Sequence, residues 1–282
     1  MRTGYKVALY GAALAVVFGG TWAAGAAAGP PPPPTGGHSA DQQHGGHESA
    51  PSAVPPGLSS SANGYALRLR EGSSLSFDVA GPDGRPVTRF AVEHEKRLHL
   101  VVVRRDGSHF RHVHPEMAAD GTWSVPLTLP DAGSYRVFAD FRPEDGPKTT
   151  LGADVERAGD YRPERHETSR TFTVDGYEVT LDGELTAGKA STVGLAISRN
   201  GAPVTDLQNY LGAKGHLVAL RAADLAYLHV HPEEGDGVRF AVEVPTAGRY
   251  RLFLDFRHED VVRTAEFTLT TTDAHGEDGH GH

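Results

Sequence analysis

Six histidines and two aspartates recur at fixed distances in the two halves of this chain. Imidazole and carboxylate are the commonest nitrogen and oxygen donors to a transition metal, so the recurrence points to metal chemistry. In the first half, His99 stands in an apolar run, His112-Val113-His114-Pro115 follows thirteen positions on, and Asp140-Phe141-Arg142 comes later. The second half repeats the set as His216, His229-Val230-His231-Pro232 and Asp255-Phe256-Arg257. The offset is 117 residues at every histidine and 115 at the aspartates, so two residues are lost in between. Gly84-Arg85-Pro86-Val87 and Gly201-Ala202-Pro203-Val204 keep the same 117-residue offset. The chain is therefore a duplicated domain, and the expectation is two equivalent sites, one in each copy.

Strands must position these side chains. The first copy reads as short runs at 65–69, 75–79, 98–105, 110–114, 123–129, 135–141 and 171–174, separated by Gly-Pro-Asp-Gly, Asp-Gly and Asp-Ala-Gly turn signals. The second copy repeats them at 176–181, 193–198, 216–221, 227–231, 238–244, 250–256 and 263–269. No stretch carries a helical apolar stripe. About seven short strands in ~100 residues predict an all-β chain of two tandem immunoglobulin-like sandwiches. Asp131-Ala132-Gly133-Ser134-Tyr135 and Thr246-Ala247-Gly248-Arg249-Tyr250 look like the tyrosine corner that opens strand F of such folds. Leu98–Arg105 is then strand C, and the His-x-His segment is strand C′. Alternate residues of a strand share a face, so His112 and His114 lie together with Phe110, His99 with Val101 and Val103, and Asp140 with Phe138 and Arg136. Strands about 4.8 Å apart bring imidazoles from C and C′ near a carboxylate from F. The aspartate is either a ligand or the acceptor that orients a ligating histidine.

Composition narrows the chemistry. There is no cysteine among 282 residues, which removes disulfides, thiolate metal sites and thiol nucleophiles. Two methionines make a thioether-rich Cu(I) site a poor reading. A site of imidazoles suits Cu(II) first, with Zn(II) or Ni(II) as alternatives. A net charge of −9 with no basic cluster argues against nucleic acid, and the sequence names no protein partner. Ligating imidazoles must be neutral, so affinity is expected to fall as pH drops through about 6.5.

Arg2 and Lys6 precede an uncharged run from Val7 to Gly29. Residues 1–29 therefore read as a transmembrane anchor or as a signal peptide cut near Ala24-Gly25-Ala26, and either places the rest outside the cytoplasm. Residues 30–63 read as a disordered Pro/Gly/His-rich linker carrying His38, His44 and His47. The domains are expected at 64–174 and 175–271, with a His-rich tail at 272–282. The histidines of linker and tail would collect metal loosely. His94, His109, His166 and His258 have no histidine counterpart in the other copy and read as surface residues.

Other readings compete. A lone strand histidine is often structural, and His-Pro is a natural strand end because proline cannot donate to the ladder. The alternative function is thus a cell-surface interaction module whose His–Asp sets only tie strands together. A cupin oxygenase would need a glutamate and a later histidine at spacings that Pro115-Glu116 and Pro232-Glu233-Glu234 do not provide. Gly-x-Ser-x-Gly, His-Glu-x-x-His, P-loop and dinucleotide motifs are absent, so nothing asks for an enzyme.

Three segments carry a family resemblance: the run from Val92 to Leu100, the run from Leu211 to Arg221, and the run from Leu225 to Pro232. With them the chain, over roughly residues 65 to 270, resembles a family of exported actinobacterial proteins called secreted or heavy-metal-binding proteins. The resemblance implies export and a link to copper handling, and it brings no agreed ligand set.

Overall fold

The computed structural model describes residues 54–70, 74–235 and 237–272. The expected N-terminal anchor and C-terminal tail lie outside the described residues. Among the described residues no helix is long and apolar enough to cross a membrane.

The first copy contains β1 (Ser61–Ala62), β2 (Tyr65–Arg70), β3 (Leu75–Ala80), β4 (Leu98–Arg104), β5 (Arg111–Val113), β6 (Glu116–Met117), β7 (Trp123–Val125), β8 (Gly133–Phe141) and β9 (Thr149–Arg157). The second contains β10 (Thr171–Val174), β11 (Tyr177–Asp182), β12 (Lys189–Arg199), β13 (Ala202–Pro203), β14 (His216–Arg221), β15 (Val230–Pro232), β16 (Val238–Val244), β17 (Arg249–His258) and β18 (Val261–Thr270). In the first copy a sheet of order β1-β2-β3-β7-β6 faces one of order β5-β4-β8-β9. In the second, β10-β11-β12-β16-β15 faces β14-β17-β18, with β13 beside β12. These are the A-B-E-D and C-F-G sheets of an immunoglobulin-like sandwich, with a C′ strand added in the first copy.

Alternation builds each core. Leu98, Leu100 and Val102 of β4 and Tyr135, Val137 and Ala139 of β8 point into the first sandwich, against Phe77, Val79 and Trp123. Leu217 and Ala219 of β14 and Tyr250, Leu252 and Leu254 of β17 do the same in the second. Both tyrosine corners form: the hydroxyl of Tyr135 donates to the Asp131 carbonyl at 3.0 Å, and that of Tyr250 to the Thr246 carbonyl at 2.7 Å.

The opposite faces of the two C-F sheets are also apolar, and they pack on each other. Val101, Val103, Phe110 and Phe138 from the first copy meet Val218, Leu220, Leu225 and Phe253 from the second in a buried cluster. Phe110 stacks on Phe253 with centroids 4.0 Å apart, and Phe138 meets Tyr227 at 5.4 Å. Tyr227 is the counterpart of Phe110, and Phe253 of Phe138, so the contact is reciprocal, as across a two-fold axis. A fully buried side chain of this size contributes about 1.5–3 kcal/mol, which makes this third cluster a permanent joint. Arg251 reinforces it by donating to the Gly107 carbonyl in the first copy at 3.2 Å.

Three sequence expectations change. Thr149–Arg157 went unread as a strand, yet it pairs with all of β8 and closes the first sandwich. Gly152 in its middle has no side chain because the Gly57 carbonyl stands where a Cβ would be. Thr171–Val174 was expected to end the first copy, but it pairs with Tyr177–Asp182 and opens the second. The linker expected to run to residue 63 is already part of the fold from Gly57, whose N–H donates to the Thr150 carbonyl, and Ser61–Ala62 pairs with β2.

Candidate metal centre

β4 and β5 pair so that Val101 lies opposite His112 and Leu100 opposite Val113. This register puts His99, His112 and His114 on the face that looks toward the second copy. Their ligand nitrogens all lie within 4.8 Å of one another. Nδ1 of His99 is 3.1 Å from Nε2 of His112 and 3.3 Å from Nε2 of His114.

The far side of two of these rings fixes their protons. Nε2 of His99 lies 3.1 Å from the Glu93 carbonyl, which can only accept, so His99 carries its proton there and Nδ1 is bare. Nδ1 of His112 lies 2.8 Å from Oδ2 of Asp255, so His112 donates to the carboxylate, and its Nε2 is aimed at the bare Nδ1 of His99, 3.1 Å away. The His112 and Asp255 side chains are 1% and 4% exposed, so this arrangement is held out of water.

Electrostatics disfavour the charged form of His99, His114 and His216. Burial, with His112 alongside, lowers His99 from the usual histidine value to about 4. Burial lowers His114 to about 3, with His112 and His99 adding to it. His216, from the second copy, is held well below the ordinary value, first by burial and then by His112 and His99. Its ring stacks on His99 at 5.4 Å and on His112 at 4.7 Å. Tyr210 stands 6.5 Å from His114, and burial pushes its hydroxyl up to about 12, so it remains a phenol.

The expectation of two equivalent sites is corrected. Among the described residues one group forms, His99, His112 and His114 from the first copy, with Asp255 behind His112 and the His216 ring stacked beside it from the second. Asp140 does not join it: Thr150 donates to its Oδ1 at 2.7 Å, and the Lys148 ammonium lies 3.5 Å from its Oδ2. His229 and His231 are exposed, their rings 4.3 Å apart, and they make no centre with His216. The cause is a change of strand. Pairing with strand C starts alike in both copies, since Leu220 bridges Tyr227. In the second copy the chain then leaves at Val230 and pairs with β16 as strand D, whereas the first copy pairs through Val113 and changes sheets at Glu116.

His94, read as a surface residue, is exposed but stands at the mouth of the centre, 6.1 Å from His99 and 5.8 Å from His216. A tight turn places it: Glu93 and Lys96 pair across it, with His94 and Glu95 at φ 45° and 65°. Tyr210 pairs with Ala213 at the matching turn of the second copy, where Leu211 replaces the histidine. His258 is likewise no surface group, since it bridges the Tyr177 hydroxyl at 2.8 Å and Asp206 at 3.0 Å.

The model of a family described as a domain of unknown function (DUF8832) matches residues 56–159 and again 172–273. The chain belongs to that family and carries its domain twice. No curated protein matches the chain. Among solved structures, titin A168–A169 is similar at 15% identity, with 74% of this chain and 98% of that one covered and a TM-score of 0.19. A putative membrane anchored protein from Corynebacterium diphtheriae is similar at 11% identity, with 75% and 60% covered and a TM-score of 0.23. Drosophila OTK extracellular domains 3–5 give 12% identity, 78% and 68% coverage, and 0.20. Scores of this size carry no argument, and the sandwich assignment rests on the sheet orders and the tyrosine corners.

Proposed function

We propose that this tandem member of the family binds a divalent transition metal at the joint between its two sandwiches, outside the cytoplasm. His99, His112 and His114 are the ligands, and Asp255 orients His112. The observation that carries the reading is the convergence of ligand nitrogens from His99, His112 and His114 within 4.8 Å of one another, with the far sides of His99 and His112 held by hydrogen bonds. A carboxylate behind a ligating histidine is the common way to fix its tautomer and raise its basicity. Imidazole ligands favour Cu(II) first in the Irving–Williams order, with Zn(II) next in availability for the same donors. The export reading rests on the charged start and apolar run of residues 1–29. We read the protein as a metal binder and not as an enzyme.

A structural role is the second reading, favoured by the buried His112–Asp255 bond that ties the copies together. His114 separates the two, because it makes no contact with the second copy's carboxylate. Titrating Cu(II) and Zn(II) into the full chain is expected to raise the melting temperature of wild type by mass action. His114→Ala is expected to lose that rise while melting near wild type without metal. Equal metal-induced shifts in both proteins would sink the metal reading and leave the joint as structure.

A further inference from the structure

A metal held by three imidazoles needs at least one more donor, and the identity of that donor decides what the centre is for. Closed four-ligand sites are structural, whereas three protein ligands plus an exchangeable position are the mark of a site that handles small molecules. Among the described residues, the group of donors within common reach ends at His99, His112 and His114. His216 is the nearest other imidazole, yet its ring lies at 4° to that of His99 and at 27° to that of His112. The lone pair of an imidazole lies in the ring plane. A ring stacked parallel to two ligating rings aims its lone pair past the point they share, so His216 covers the centre from the side of the second copy. On the other side stand the half-buried His114 and the exposed His94, with the Tyr210 phenol 6.5 Å from His114.

Charge indicates what enters. Three neutral imidazoles leave the two positive charges of the ion intact, and the one carboxylate behind them, Asp255, offsets a single charge through His112. About one positive charge remains, facing the His94 side. From this we infer that the fourth position of the centre takes an exogenous small monoanion or a water molecule, hydroxide being the physiological form of both. A bound dication lowers the pKa of such a water from 15.7 toward ~7, so the centre would hold hydroxide near neutral pH. The inference rests on the metal reading above and adds the ligand that the ion exchanges.

Cobalt(II) and azide test it. The full-length protein is loaded with one equivalent of Co(II), and the visible d–d bands are recorded against His114→Ala under the same conditions, which cancels cobalt held by His38, His44, His47, His275, His280 and His282. Titration with azide is expected to shift the wild-type difference bands saturably, with one azide per protein. His216→Phe, which keeps a flat ring in the stack, is expected to retain both the bands and the azide response. Difference bands that ignore azide would overturn the proposal while leaving the metal reading intact. Loss of the bands in a folded His216→Phe would make His216 the fourth ligand and overturn it as well. Absence of any difference between wild type and His114→Ala would remove the metal reading, and this proposal with it.

Discussion

The two copies hold the same chemical parts, and the histidines of the first alone converge, with the aspartate of the second behind them. Asp140 and Asp255 each accept from a threonine at the same place on the next strand, Thr150 at 2.7 Å and Thr264 at 2.6 Å. Their remaining oxygens differ: that of Asp255 holds His112 of the first copy, and that of Asp140 faces Lys148. Reciprocal packing would offer Asp140 to His229, but Asp140 is held by Thr150 and Lys148 instead. In the first copy the D–E turn is tight, Ala118 donating to the Thr122 carbonyl; in the second it is wider, Glu233 donating to the Arg239 carbonyl. The register of D on E is the same in both copies, and the second extends it through His231–Ala241 and Val230–Val242, where the first has Pro126 and its strand E ends at Val125. Keeping a set of residues is therefore not keeping a site, because the strand they ride on chooses its partner by turn geometry and edge pairing.

The comparison can be broken at the joint first. Phe253→Ala removes the ring stacked on Phe110 and is expected to cost about 3–5 kcal/mol in urea unfolding, the range for a buried phenylalanine. A loss under about 1 kcal/mol would mean the sandwiches are not bound through this face. Next, Asp255→Ala leaves the buried His112 N–H unpaired, at a cost of about 3 kcal/mol. The same change should weaken metal binding by roughly 10–100-fold. Asp140→Ala, its counterpart, should cost about 1 kcal/mol and leave metal affinity alone. Equal effects on affinity would restore two equivalent sites.

Acid gives the third comparison. His99 and His114 are neutral in the fold down to about 4 and 3, while the unfolded chain protonates them near 6.5. The unfolded state then binds more protons below 6.5, so stability is full above that pH and falls as pH drops toward 4. Between pH 7.5 and 5.5 the apo protein should lose roughly 2 kcal/mol through these two groups. His114→Ala should flatten that slope, and His231→Ala should not. The smallest effect is on binding alone: His114→Ala is expected to raise the metal Kd at least about tenfold, or 1.4 kcal/mol, against no change for His231→Ala in isothermal titration.

Much of this was written in the chain. The period-two runs and the Asp-Ala-Gly-Ser-Tyr and Thr-Ala-Gly-Arg-Tyr corners lead to two sandwiches, and the faces of His99, His112 and Asp140 follow from alternation. The strand at 149–157 escaped because its inward Leu151, Ala153 and Val155 are interrupted on the other face by Gly152, at the point where another backbone passes. The single composite centre was harder to read, since strand spacing describes neighbours within a sheet and says nothing of sheet against sheet. A hint was present: Val101, Val103 and Phe138 share the histidines' face, and such a face has to be covered. Its cover is the other copy, which only the fold supplies.

The hydrogen bond between His112 and Asp255 has a consequence for how such a protein is inherited. An ancestor with a single domain would have needed a second molecule to contribute the acid, as in a two-fold dimer. Carrying the domain twice in one chain makes that encounter intramolecular. A sandwich cut out and expressed by itself would carry either the donors without their orienting acid or the acid without its donors, so the heritable unit of this chemistry is the pair.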